Sequence, residues 1–508
     1  MTAAVFEPTA PGPTASLPTE APLDALIIGS GLGGLSVGII LSRLRLRVAV
    51  VEKNPLPGGL MRSYRRGGLD CPVGIHYFGS FGQGEPLRRM CDYLGVSEKI
   101  PAERMGQAGP IDRYLFDDFS FDLPEGFDRF AESLKEACPE DRQPIAVILK
   151  NIRALAKIQH SFAFFSPSPP AVDKDLFAPM ADYLAGAGCS PRLRSVMGVA
   201  SRWMGMPADE CPVLYHHLAL ASYMLSSWRL RAGGPDLAEA FVSQFEAQGG
   251  LLICGDPANG ILLSGDRVVG VTLASGRVLK TERIVAAIHP KGVLPMLPDG
   301  AVLPRVVRRI RRLDDTEGLF VVNVAVDAGA HPPLPHNISR LQADRSGRLT
   351  GGEFYQLLPG RGGRNLLMII TQSPFSEWAP WQDTTTGSRG AAYGEEKARR
   401  AHRLLEGAAA VFGPLSGAAI LDAYTPLTIR DWVGSPGGSP YGIMRSARQM
   451  QAATVHHHMH LKGLYFAGQN ALSPGVLGTL LGSFQTVRQM IGYDRFSREV
   501  FEPLAPGR

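Results

Sequence analysis

The fold of this chain is decided by DALIIGSGLGG (24–34), RVAVVEK (47–53) and GGLM (58–61). Residues 25–28 form a short apolar run without alternation, which predicts a parallel strand buried on both faces. Gly29, Gly31 and Gly34 complete the spacing G-x-G-x-x-G where this strand must turn into a helix. The first glycine permits the tight turn, the second lets a pyrophosphate approach the backbone, and the third lets the helix pack on the strand.

A second apolar strand is predicted at residues 48–51, and Glu52 closes it. A carboxylate at this position can accept hydrogen bonds from both hydroxyls of a ribose. The start of the intervening helix offers free N–H groups and a partial positive charge to phosphates. A glycine-rich turn without a ligand is the alternative, but strand, helix, second strand and acid in register favour a dinucleotide site.

The composition describes a globular protein that does not bind nucleic acid. A chain of 508 residues predicts two domains or one elaborated α/β unit. The net charge is only +5, and Lys and Arg are scattered apart from the basic run at 305–312. That run is either a solvated helix face or a patch for an anionic membrane, and the solvated face is favoured.

The cysteines and the terminal residues indicate a cytoplasmic protein. Six cysteines form no C-x-x-C pair, which is typical of reduced thiols. Residues 1–22 are rich in Pro, Thr and Ala, and predict a disordered tail rather than a signal peptide. Because no run of about 18 uncharged apolar residues occurs, only peripheral membrane contact is left open.

The remaining pattern predicts two interleaved domains. Segments 24–110, 235–300 and 425–495 are assigned to the dinucleotide-binding domain, and 111–234 with 301–424 to a substrate domain. In the substrate domain we expect helices at 145–165 and 395–412, among others. Apolar helices rich in Met, Tyr and Trp between residues 180 and 228 would suit an apolar substrate. The alternative is that they form an ordinary helical core.

Histidines near the carboxyl terminus raise the question of a metal site. His456, His458 and His460 would share one face if this segment were a strand. No acid or cysteine stands nearby in sequence to complete a set of ligands. An exposed polar turn is therefore favoured, and no metal site is predicted.

Several motifs resemble one family of flavoproteins. They are EKNPLPGG (52–59), GIHYFG (74–79), TPLT (425–428), SPYG (439–442) and GLYFAGQ (463–469). Together they resemble the phytoene desaturases, carotenoid isomerases and retinol saturases, which share the amine-oxidase-like fold. The resemblance extends from residue 24 to about residue 493. It implies an α/β protein in which a Rossmann-like FAD-binding domain carries an inserted, mixed α+β substrate domain.

The resemblance also implies a set of FAD contacts, with Glu52 on the adenosine ribose. One departure concerns Pro257, which stands where the family usually has a Val that pairs with adenine, and which has no N–H to donate. The residues assigned to the cofactor are Gly29, Gly31, Gly33, Gly34, Glu52, Lys53, Gly58, Gly59, Leu60, Met61, Gly468, Gln469, Gly475, Val476 and Leu477.

The resemblance implies an FAD-dependent oxidoreductase acting on the double bonds of an apolar polyene or lipid. Reduction of a C=C bond needs a hydride at one carbon and a general acid at the other. The candidates for the acid are His76, Tyr77 and Tyr441, each with a purely structural role as the alternative. Only one nucleotide-binding fingerprint is present, so the electron donor or acceptor stays open, as does the oligomeric state.

Other functions compete with this prediction. Saturase-like reduction is favoured over desaturation and isomerisation, which use the same flavin chemistry. Oxidation of an amine is a further alternative within the same fold. The fold also supports escort proteins that carry prenylated partners and have lost flavin, but the intact loop at 29–34 and Glu52 argue against that alternative.

Overall fold

The computed structural model describes residues 22–168, 170–231, 237–450, 452–453 and 459–504. Within these residues the central sheet has five strands, and all its neighbouring pairs are parallel. In spatial order they are Leu251–Cys254, Val48–Glu52, Ala25–Ile28, Ile284–Ala286 and Leu464–Phe466. The two predicted strands lie at the middle of the sheet and are buried along their full length. The predicted tail up to residue 21 and the histidines at 456–458 lie outside the described residues.

The turn after the first strand depends on its glycines. Gly29 has a φ of +100°, which residues with a side chain rarely adopt. A Cβ on Gly34 would lie 1.9 Å from the carbonyl oxygen of Gly29, so only glycine lets the helix begin this close to the strand. The helix Leu32–Arg43 then packs against the helices Leu237–Ala247 and Gly475–Ile491.

A second, larger sheet carries seven strands from two separate parts of the chain. Its only parallel pair joins the strand that begins at Asn337 to the strand that begins at Asp112, and these two residues are partners in register. The other pairs are antiparallel. In order the strands are Ala419–Tyr424, Leu319–Asp327, Arg364–Gln372, Leu349–Leu358, Asn337–Ala343, Asp112–Leu115 and Ser120–Leu123. The domain boundaries assigned from the sequence stay a prediction.

Three small antiparallel sheets complete the strands of the described residues. The first consists of Ala258–Ser264, Arg267–Leu273 and Val278–Lys280. The second is Ser63–Arg66 with Leu69–Pro72. The third consists of Phe78–Gly79, Ser227–Leu230 and Ala102–Met105.

Two of the predicted helices have different bounds in the structure. The helix expected at 145–165 is Arg142–Ser161, and the chain leaves it through Phe162, whose φ is +51°. This turn buries the side chains of Phe162 and Phe165 in the core beneath the five-stranded sheet. The helix expected at 395–412 is Gly390–Phe412. Its two additional glycines have low helix propensity, which is why the pattern predicted a later start.

The other α-helices surround these sheets. None of the helices in the described ranges is both long enough and apolar enough to cross a membrane. Their bounds are Pro86–Leu94, Phe127–Ala137, Met180–Gly186, Pro191–Arg202, Val213–Leu225, Pro290–Val293, Pro304–Arg311, Pro426–Val433, Tyr493–Phe496 and Glu502–Leu504.

Gly34→Ala tests the dependence of the fold on this turn. The added methyl group would meet the Gly29 carbonyl, and we expect a loss of about 1–3 kcal/mol in the free energy of unfolding. Thermal and urea denaturation followed by circular dichroism measure it. The control is Gly394→Ala on an exposed helix position with open space around it, where a gain of about 0.5–1 kcal/mol is expected. An unchanged stability of Gly34→Ala would contradict the argument.

Candidate functional site

A cavity of about 870 Å³ opens at the carboxyl edge of the five-stranded sheet. Residues at or just after four of its strands line one end: Gly29, Glu52, Ala287 and Ala467. Ligands of open α/β sheets bind at this edge. The other end is lined by aromatic side chains, namely Trp203, Tyr215, Tyr223 and Tyr441. One continuous space therefore joins the dinucleotide turn to an aromatic chamber.

The turn offers both room and positive potential for a pyrophosphate. A Cβ on Gly31 would meet no atom within 4 Å, so the backbone there faces open space. Two helices begin beside it, Leu32–Arg43 and Gly475–Ile491, and no side chain caps either N-terminus. Their starts are close because a Cβ on Gly33, in the first turn of one helix, would lie 3.5 Å from the Cγ2 of Thr479 near the start of the other. The first-turn N–H groups and helix dipoles of both suit an anion at this point.

Glu52 is buried, and its carboxylate already accepts four hydrogen bonds from the protein. Its Oε2 accepts from the Ser30 N–H at 3.0 Å and the Ser30 hydroxyl at 2.6 Å. Its Oε1 accepts from the backbone and side-chain nitrogens of Asn54, both at 2.9 Å. A carboxylate offers about four lone-pair sites, so a ribose hydroxyl would have to displace or share one of these donors. Neither Ser30 nor Asn54 was predicted as a partner of Glu52. Their positions, inside the glycine motif and two residues after the acid, could have indicated this role.

Lys53 and Asn54, which follow Glu52, bind the end of a helix that is distant in sequence. The TPLT motif forms the start of the helix Pro426–Val433, with Thr425 and Thr428 in a capping box. At the other end of this helix, the Lys53 ammonium donates to the Asp431 carbonyl at 2.6 Å, and the Asn54 side chain donates to the Trp432 carbonyl at 2.9 Å. Cations and amide donors are favoured at a helix C-terminus because its carbonyls carry partial negative charge.

Most residues assigned to the cofactor lie on the cavity wall, but two do not. A Cβ on Gly58 would lie 2.3 Å from the Ala238 Cβ, and Gly34 packs on Gly29, so both serve close packing. Pro257 does line the cavity, and its carbonyl accepts a hydrogen bond from the backbone of Ala274. The cofactor role of each residue stays a prediction. On the wall are Gly29, Gly31, Gly33, Glu52, Lys53, Gly59, Leu60, Met61, Gly468, Gln469, Gly475, Val476 and Leu477.

His76 lines the cavity as a neutral imidazole. Burial lowers its pKa from 6.5 to about 4. Its Nδ1 is buried and has no hydrogen-bond partner within the described part of the chain. A neutral imidazole is a weak proton donor at pH 7, which makes His76 the weakest of the three candidates for the acid. Among the described residues, no cluster of His, Cys, Asp or Glu could hold a metal ion.

Tyr77 has its hydroxyl committed to a buried carboxylate. The hydroxyl donates to Asp112 Oδ2 at 3.0 Å, and the ring stacks on Phe354 with centroids 5.9 Å apart. Asp112 Oδ1 accepts from the Asn337 side chain at 2.7 Å, and burial raises the pKa of this acid from 3.8 to about 6. Asp112 was not predicted as a site residue, because its local sequence does not distinguish it from any other residue of a strand.

Tyr441 is the candidate whose hydroxyl is available to a ligand. Its ring lies against Gly205, where an added Cβ would approach the ring to 2.6 Å. Within the described residues burial is the only influence on the pKa of its phenol, with no hydrogen bond to the hydroxyl, and the side chain lines the cavity. Burial raises the pKa of this phenol, so it stays protonated at neutral pH. Of the three candidates, Tyr441 alone offers an unused O–H donor.

Comparisons with known proteins agree with this geometry. Residues 27–94 match the family of NAD(P)-binding Rossmann-like domains. An all-trans-retinol 13,14-reductase of Danio rerio is 23% identical, over 91% of this chain and 84% of its own length. A 4,4'-diapophytoene desaturase of Methylomonas sp. is 22% identical, over 44% of this chain and 45% of its own. The structure of putrescine oxidase bound to putrescine has a TM-score of 0.63 at 14% identity, covering 93% of this chain and 99% of its own.

These comparisons confirm the predicted fold and the predicted resemblance. The Rossmann-like unit lies where the glycine motif indicated it, and the likeness to an amine oxidase extends over nearly the whole chain. Similarity to a retinol reductase and a carotenoid desaturase confirms the resemblance stated from the motifs. The chain is thus similar to flavoprotein oxidoreductases, and its site is of the type that holds a flavin dinucleotide.

Asp112→Asn will change how stability depends on pH. The folded protein holds a proton on Asp112 up to about pH 6, whereas the unfolded chain releases it near its ordinary pKa of 3.8. This contribution is full below about pH 4 and is lost as the pH rises through about 6, a difference of roughly 3 kcal/mol.

Urea denaturation between pH 4 and pH 7 should therefore show a flatter profile for Asp112→Asn than for the unmodified protein. The control is Asp118→Asn, an exposed position in the same hairpin, which should follow the unmodified profile. Parallel profiles for the unmodified protein and Asp112→Asn would show that Asp112 keeps an ordinary pKa.

Proposed function

We propose that this chain is an FAD-dependent oxidoreductase that acts on carbon–carbon double bonds of an apolar polyene or similar lipid. The observation that carries the proposal is the single cavity that joins the dinucleotide turn to an aromatic chamber. Saturase-like reduction is favoured because the similarity to a retinol reductase covers most of both chains, whereas the desaturase matches less than half. Desaturation and isomerisation are the alternatives.

The cofactor end of the cavity suits FAD. The open backbone at Gly31 and the two helix starts would hold the diphosphate, and Glu52 would orient the ribose. Gly59 packs beside Gly31, and both Gly59 and Met61 line the cavity wall, along which the ribityl chain would pass. When bound, the flavin supplies hydride exchange with carbon.

The chamber suits an apolar, unsaturated chain. Its wall includes Trp203, Met204, Leu214, Leu218 and Tyr223. Among the described residues Glu52 is the only carboxylate on the cavity wall, and it lies at the dinucleotide end. Aromatic and thioether side chains pack well on a conjugated chain and exclude water from the reacting carbons.

The proton for reduction comes from Tyr441. In a reduction that places a hydride on one carbon of the double bond, the phenol O–H of Tyr441 would supply the proton to the other carbon. Tyr441 is suited to this step because its hydroxyl has no partner in the described chain and burial keeps it protonated. The sequence has a single nucleotide-binding fingerprint, so the electron donor is left open in this proposal.

Contact with a membrane surface is also proposed, as a route for the apolar substrate. The helix Pro304–Arg311 exposes Arg305 and Arg308, and the preceding Leu303 is half exposed. Basic side chains beside an exposed apolar residue favour an anionic lipid surface.

Gly31→Ala tests the cofactor assignment without disturbing the fold. Because the new methyl group has open space and an ordinary backbone conformation, stability should be unchanged while it blocks the approach of the diphosphate. We expect flavin affinity to fall by at least about tenfold, or about 1.4 kcal/mol. Flavin absorbance per mole of purified protein measures this, with Gly394→Ala as the control. Equal flavin in the two variants, or none in the unmodified protein, would refute the assignment.

Anaerobic mixing with a panel of polyenes tests the reaction and the role of Tyr441. Photoreduced protein should be reoxidised by a polyene, and Tyr441→Phe should slow this step by about 10²–10⁴-fold. Tyr77→Phe is the matched control, because its hydroxyl is bonded to Asp112 and little change in rate is expected. Bleaching of the oxidised protein by a polyene would indicate desaturation instead. If polyenes neither reoxidise the reduced protein nor bleach the oxidised protein, the oxidation of an amine would be favoured.

A further inference from the structure

A buried arginine lies in the wall of the cavity without a counter-charge. Arg445 follows the SPYG motif, is 3% exposed and lines the cavity. Its Nη1 donates to the Ala453 carbonyl at 2.8 Å, and its Nη2 donates to the Asn470 carbonyl. These two bonds fix the guanidinium in place but do not neutralise it. A guanidinium carries more N–H donors than they use, and in the described chain its Nε has no partner.

No acid of the described residues balances this charge. Arg445 takes part in none of the ion pairs formed there, in contrast to Arg448, which pairs with Glu210 and Asp314. The cavity wall carries Glu52, but Ser30 and Asn54 already occupy that carboxylate. Burial lowers the pKa of Arg445, which is the electrostatic signature of a desolvated cation. An arginine keeps its proton even so, and an anionic ligand would compensate it.

Arg445 lies beside the chamber and also near residues 468–469, which are assigned to the cofactor, because its Nη2 bonds the carbonyl of the adjacent Asn470. It lies close to Tyr215, since its charge opposes the effect of burial on the pKa of that phenol. Tyr215 belongs to the helix Val213–Leu225, which also contributes Leu214 and Leu218 to the chamber wall. The Tyr215 hydroxyl donates to the Leu472 carbonyl at 3.4 Å, a long bond that leaves it able to turn toward a ligand.

We propose that Arg445 binds the carboxylate of the substrate, so that the site selects a long unsaturated carboxylic acid over the corresponding alcohol or ester. This proposal rests on the proposed function and adds the chemical class of the substrate. A planar guanidinium matches a carboxylate through two parallel hydrogen bonds, and Tyr215 supplies a further donor. The acid end is then fixed at Arg445 while the unsaturated chain extends along the apolar and aromatic wall that includes Tyr441.

The test uses the flavin-loaded protein and two fluorescent probes, parinaric acid and its methyl ester. The two share one conjugated chain and differ in charge at the end. We expect the unmodified protein to bind the acid at least about tenfold more tightly than the ester. Arg445→Met should remove this preference, because its affinity for the acid should fall while its affinity for the ester stays within about twofold of the unmodified protein's. Arg445→Lys should keep part of the preference.

The matched control is Arg448→Met, which removes an exposed positive charge three residues away and should leave both affinities unchanged. Equal affinity of the unmodified protein for acid and ester would overturn the proposal. An equal loss of affinity for both probes in Arg445→Met would also overturn it, because it indicates a structural role. A loss of flavin in this variant would overturn it too, because it assigns the arginine to the diphosphate. If Arg445→Met does not fold, the preference of the unmodified protein and of Arg445→Lys decides the question.

The outcome is separable from that of the proposed function. Selective binding of the acid without any redox response to polyenes would refute the action on polyene double bonds and retain the carboxylate site. Redox turnover of acid and ester with equal kcat/KM would retain the oxidoreductase and refute the carboxylate site.

Discussion

The structure depends on one close backbone contact, between Gly34 and the carbonyl oxygen of Gly29. A Cβ at Gly34 would lie 1.9 Å from that oxygen, so any larger residue would push the first helix away from the first strand. Gly33 repeats this constraint against Gly468, where the corresponding distance is 2.4 Å. A Cβ at Gly33 would also lie 3.5 Å from the Cγ2 of Thr479, so the helix starts near residues 32 and 475 lie together at one edge of the sheet. The positive potential of the cavity follows from this convergence.

Charge is distributed unequally along the cavity. At the dinucleotide end, Glu52 is held by four donors before any ligand arrives, so its orientation is preorganised. At the chamber end, Arg445 is held by two carbonyls and has no acid beside it in the described chain. A buried carboxylate that is fully hydrogen-bonded is stable by itself, whereas a buried cation with unused donors favours an anion. The two ends therefore suit different chemical groups of different ligands.

Hydrogen bonds connect the wall of the chamber to the seven-stranded sheet. The parallel register of Asn337 with Asp112 places their side chains in contact, and Gln356 donates to both Asn337 and the His76 carbonyl. Tyr77 joins this network through Asp112. The GIHYFG segment is thereby fixed by a sheet that comes from other parts of the chain. This explains why Tyr77 has a structural partner whereas Tyr441, packed on Gly205, does not.

The sequence by itself determined the central fold and the glycine turn that lines one part of the cavity. The strand, glycine turn and helix could be predicted because they depend on local sterics and on hydrophobic periodicity over a few residues. The same holds for the TPLT motif, although its role as a capping box that starts a helix became visible only in the structure. The relation to flavoprotein oxidoreductases followed from motifs of the same local kind.

The tertiary structure alone decided which side chains of the site have partners. Tyr77 donates a hydrogen bond to Asp112, and Arg445 is enclosed with no acid of the described residues paired to it, because strands and loops distant in sequence come together. The end of the helix at Ser161 has the same origin, since Phe162 and Phe165 turn into a core built elsewhere. Such contacts depend on strand order and register, which no local pattern encodes, and they decide which tyrosine hydroxyls are already hydrogen-bonded.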